Sequence, residues 1–65
     1  MNTSELVDAI GGTGKVAELC ELTPGAVSQW KTADSVPKAH RKFLRLMFPA
    51  LLDRYESSRS EEAAA

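Results

Sequence analysis

The chain has one cysteine, one histidine, one tryptophan and one tyrosine in 65 residues, and each scarcity removes a class of chemistry. Cys20 alone closes no intramolecular disulfide. With only His40 beside it, it also cannot complete the four-ligand set of a structural metal site. The expectation is a small apolar packing residue in a reducing cytoplasm, with no metal and no cofactor. No apolar run approaches the length that crosses a bilayer, and Met-Asn-Thr-Ser-Glu-Leu-Val-Asp lacks the basic segment and apolar stretch of a signal peptide. A cytoplasmic chain with no membrane partner is therefore expected. From Pro37 to Ala65 there is no Val, Ile, Thr, Gly or Asn. A β-hairpin there would lack both β-branched strand residues and a residue suited to its tight turn, whereas Ala, Leu, Lys, Arg and Glu favour helix. A domain this small buries only about 60% of its unfolded surface, which leaves no room for an enzyme cleft or a small-molecule pocket.

What is present reads as an all-α bundle of about five short helices. Asn2 or Thr3 caps the first, Glu5 completes a capping box with Asn2, and Leu6, Val7 and Ile10 form its buried stripe. Gly11-Gly12 stops it. Thr13 offers a hydroxyl cap for a second helix at about 14–20, and Thr23-Pro24 is a cap followed by proline in the first helical position of a third, ending near Lys31. Thr32 to Val36 reads as a polar connection. Pro37 opens a fourth helix, with Ala39, Phe43, Leu44, Leu46 and Met47 expected to supply most of the remaining core. Pro49 interrupts that pattern and starts a fifth, with Leu51, Leu52 and Tyr55 inward. Residues 1–56 are expected to form one domain and 57–65, without a large apolar residue, a disordered or frayed tail.

The net charge of −1 hides an uneven distribution. Residues 1–30 set Lys15 against Glu5, Asp8, Glu18 and Glu21, a net of −3. Residues 31–45 set Lys31, Lys38, Arg41, Lys42 and Arg45 against Asp34, a net of +4, and the last twenty return to −2. A basic block thus follows directly after the third helix, where it can meet phosphate.

Gly11-Gly12-Thr13-Gly14-Lys15 superficially suggests a nucleotide phosphate loop, but that motif needs glycine where Ala9 stands and Ser or Thr where Val16 stands. The glycines read instead as a helix stop. Thr13 and Gly14 at a helix start can still offer free amides to a phosphate oxygen. Trp30, three residues after Val27, belongs to the inward face of the third helix, and the lone His40 reads as a surface residue.

The second and third helices, joined by a tight turn, make a helix-turn-helix: Val16, Ala17 and Cys20 form one face, Leu22 lies in the turn, and Val27 and Trp30 form the other. Pro24, Gly25, Ser28 and Gln29 are left pointing outward. Small and amide side chains of this kind can press against base-pair edges. Thr13 to Lys31, above all Ala17, Leu22 and the run Ala-Val-Ser-Gln-Trp-Lys, resembles the helix-turn-helix of the small phage repressors of the Cro and lambda-repressor superfamily, with the closest likeness to the all-helical Cro proteins. It departs from them in carrying Glu21 where the turn usually has glycine, and Pro24 and Gly25 at two base-facing positions. The resemblance implies that Thr13 holds the DNA backbone and that Pro24, Gly25, Ser28 and Gln29 face bases.

The expected function is that of a non-enzymatic, sequence-specific repressor of phage or prophage origin, bound to a double-stranded DNA operator as a weak homodimer. Gln29 does most of the reading, with Ser28, Gly25 and Pro24 beside it. Thr13, Gly14, Lys15, Lys31, Lys38 and Arg41 hold phosphates, while Lys42 and Arg45 can face solvent. An antitoxin-type or activator-type regulator would use the same surface, and a helix-turn-helix protein-interaction module is the alternative of another kind. The dimer contact is expected at Leu51, Leu52 and Tyr55, which have little chain after them to cover them.

Overall fold

A computed structural model describes the backbone of residues 1–64 and the side chains of residues 1–58. Among these residues it contains five helices and no strand: α1 Thr3–Ile10, α2 Thr13–Cys20, α3 Pro24–Ala33, α4 Lys38–Met47 and α5 Pro49–Ala64. The all-α expectation holds. The tail expected at 57–65 falls, beyond Ser58, outside the residues whose side chains are described.

Local signals set most helix ends. Asn2 Oδ1 accepts the Glu5 amide at 2.8 Å and Glu5 Oε1 accepts the Asn2 amide at 3.3 Å, closing the capping box. Gly11 and Gly12 take φ of 142° and 101°, so both lie where side chains are strained, and the Gly12 amide returns to the Val7 carbonyl at 2.9 Å. The next two helices end on residues that do carry a Cβ. Glu21 and Asp34 adopt left-handed φ of 57° and 53°. In each case the next amide reaches back five residues, Leu22 to Ala17 at 2.8 Å and Ser35 to Trp30 at 3.0 Å, so that buried carbonyls are satisfied at both turns.

Two boundaries differ from expectation. Thr13 does not cap α2: Gly12 occupies the cap position without a side-chain bond, and Thr13 is the first helical residue. The extended path out of the Gly11-Gly12 stop places the helix start one residue earlier than a hydroxyl cap would. Likewise α3 continues through Thr32 and Ala33, because the left-handed residue that ends it is Asp34. The true connection is Asp34–Pro37. It is not uniformly polar, since Val36 is buried in the core.

The core consists of Leu6 and Val7 from α1, Val16 and Ala17 from α2, Val27 and Trp30 from α3, Val36, Leu44 from α4, and Leu52 and Tyr55 from α5. The largest correction concerns α4. Of its expected core residues only Leu44 is buried, whereas Ala39 is exposed and Phe43, Leu46 and Met47 are 39%, 84% and 49% exposed. The helix turns inward a second, less apolar stripe, with half-buried His40, Leu44 and half-buried Phe48 at i, i+4 and i+8. That stripe leads into Leu52 and Tyr55, which the first helix covers. Both are fully buried within the chain, so the expected dimer contact at Leu51, Leu52 and Tyr55 is instead part of the intramolecular core, with Leu51 half-buried at its margin.

Candidate nucleic-acid interface

Helix α3 is built to show one face. Thr23 Oγ1 accepts the Ala26 amide at 3.3 Å and Pro24 fills the first helical position, where its missing N–H costs nothing. Val27 and Trp30, at 0% and 7% exposure, lock the inner face onto the core. At about 100° per residue, Gly25, Ser28 and Gln29 lie roughly 100° or more around the helix from both Val27 and Trp30, with Pro24 at the edge of the set, and all four are exposed. Among the described residues the Ser28 hydroxyl and the Gln29 side-chain amide have no intramolecular hydrogen bond, while the Ser28 carbonyl accepts from Thr32 Oγ1 at 3.2 Å. A Cβ at Gly25 would meet nothing nearer than Thr23 Oγ1 at 3.8 Å. The fold therefore does not demand glycine there, and the backbone of the first turn of α3 stands bare.

The expected phosphate residues divide by element. Thr13, Gly14 and Lys15 form the first turn of α2, whose amides no side chain caps. The Lys15 stem lies over Gly11, near enough that a Cβ on Gly11 would sit 3.0 Å from Lys15 Cγ, so glycine at the stop leaves room for this lysine. Lys31 is half-buried near the end of α3. Lys38, exposed, and Arg41, half-buried, lie on the first turn of α4, where the helix dipole adds positive potential. Arg41 Nε is the one buried side-chain nitrogen or oxygen among the described residues without a hydrogen-bond partner.

Lys38, Arg41, Lys42 and Arg45 share a ridge and line one cleft against Glu56 of α5. Its last member is neutralised. Arg45 donates to Asp53 Oδ1 and Glu56 Oε2, each at 2.6 Å, and these two carboxylates, Glu56 foremost, push its pKa above the ordinary guanidinium value. The positive block is thereby concentrated at the N-terminal end of α4, next to the helix-turn-helix.

His40 does not stand free on the surface as expected. Half-buried, it packs on Trp30 with ring centroids 5.2 Å apart at 35°, which couples the start of α4 to the inner face of α3. Cys20 is free and half-buried, and desolvation raises its pKa, as expected of an apolar packing thiol. Two residues that position this surface escaped sequence reasoning. Asp34 Oδ1 accepts the Thr3 amide at 2.9 Å, tying the end of α3 to the start of α1, and Val36 anchors the connection to α4. An acidic residue just past a helical stripe was a weak signal for Asp34, and the proline after Val36 signalled only extended backbone.

Among the described residues no helix is long and apolar enough to cross a membrane, and no group of three His, Cys, Asp or Glu residues is placed to hold a metal ion. Comparison of the chain with protein-family models, curated proteins and solved structures gives no match.

Proposed function

We propose that this chain is a sequence-specific double-stranded DNA-binding regulator, acting as a repressor of phage or prophage type, that lays α3 in the major groove. The observation that carries the reading is the outer face of α3. Its small residues and one unpartnered amide are exposed, while Val27 and Trp30 hold the opposite face rigidly to the core. Gln29 is the reader, its amide matching the N6 and N7 edge of adenine, with Ser28 as a short donor or acceptor and Pro24 against a thymine methyl. Lys15, Lys31, Lys38 and Arg41, with the amides of Thr13 and Gly14, take phosphates on either side and fix the helix in its groove. Repression follows from occupying a site that polymerase needs.

The test is titration of duplex DNA at several salt concentrations, after selection of a preferred site from random sequence. A DNA regulator loses affinity for random duplex as salt rises, whereas a protein-interaction module shows no salt-dependent affinity at all. Gln29→Ala is expected to cost about 1 to 3 kcal/mol on the selected site and little on random duplex. Equal losses on both would mean that α3 is not the reading helix.

A further inference from the structure

Helix α4 leaves uncovered an apolar sector that the core does not use. At about 100° per residue, Leu46, Ala39, Phe43 and Met47 follow one another around the helix. Leu44, which is buried, points away from them. Leu46 at 84% exposure and Met47 at 49% are costly to leave in water in so small a domain. The two edges of the sector differ in charge. Lys38 and Lys42 border it on one side. On the other, Phe43 and His40 share a shallow cleft with Leu19, Cys20 and Glu21 at the end of α2.

We propose that this sector is a self-association surface, on which Phe43, Leu46 and Met47 of two copies of this chain pack together with their α4 helices parallel. The edge charges select both the partner and the direction. A two-fold axis along α4 sets the lysine edge of one copy opposite the Glu21 edge of the other, and symmetry makes the pairing twice. The antiparallel arrangement would set lysine against lysine, which repels. Three exposed apolar side chains on each copy are a small surface beside that of a stable dimer, so the association is weak. The inference stands without the DNA-binding reading, and its test uses no DNA.

Sedimentation velocity of the full chain, from about 1 μM to 1 mM at low salt, is expected to show a reversible monomer–dimer equilibrium. Leu46→Glu should keep the chain monomeric throughout that range with its melting transition unchanged. Lys42→Glu should weaken the dimer about tenfold, and Lys42→Glu combined with Glu21→Lys should restore it. A wild-type chain that stays monomeric at the highest concentration overturns the proposal. So does a dimer indifferent to Leu46→Glu, and a double swap no better than the single one overturns the parallel arrangement.

Discussion

Thr3 and Tyr55, 52 residues apart, meet hydroxyl to hydroxyl at 2.7 Å, and neither has any surface exposed to solvent. This buried contact joins the first turn of α1 to α5 and closes the bundle around Leu6 and Leu52. A hydrogen bond in such a place contributes modestly when made and costs more when one partner is left alone.

Tyr55→Phe strands the Thr3 hydroxyl in the core and should lower stability by about 1 to 3 kcal/mol. Adding Thr3→Val removes the stranded group, so the double mutant should be more stable than the sum of the two single losses. A double-mutant cycle by chemical denaturation measures this coupling. Strict additivity would mean that the two hydroxyls do not interact.

Trp30→Ala removes the largest side chain holding α3 to the core, along with the ring on which His40 rests. A loss of about 3 to 5 kcal/mol is expected, comparable with the whole stability of a small domain. The mutant should show no cooperative thermal transition by circular dichroism. A cooperative transition would place the energetic centre elsewhere.

Glu21 and Asp34 share a left-handed backbone but should respond differently to glycine. At Glu21 the substitution relieves a strain of about 1 kcal/mol at φ of 57°, and should raise stability by a similar amount. Asp34→Gly relieves the same strain but loses the carboxylate that accepts the Thr3 amide, a cap-like bond of about 0.5 to 2 kcal/mol. It should gain nothing. Denaturant midpoints of the two mutants check the contrast.

Lys38 and Arg45 lie two turns apart on one face of α4, yet only Lys38 is free to neutralise phosphate. If the DNA reading holds, Lys38→Ala should reduce the salt slope of duplex binding by about one unit. Arg45→Ala should leave that slope nearly unchanged, because Asp53 and Glu56 already occupy the guanidinium. Titrations of both mutants on random duplex separate the two roles.

Sequence alone determined what depends on one turn of backbone. The Asn2–Glu5 box, the Gly11-Gly12 stop and the Thr23-Pro24 start are set by contacts within about five residues, and each could be read directly. The outward set on α3 was equally legible, since Val27 and Trp30 leave one face for Pro24, Gly25, Ser28 and Gln29. Tertiary structure alone decided which stripe of α4 faces inward. Ala39, Phe43, Leu46 and Met47 repeat as regularly as any core face, and periodicity cannot tell a covered face from an uncovered one. The choice fell to His40, Leu44 and Phe48 because they continue toward Leu52 and Tyr55, where Trp30 and α1 supply partners from far along the chain. The same distant packing drew Val36 inward and brought Asp53 and Glu56 onto Arg45. Burial is a property of pairs of elements, whereas a cap belongs to one.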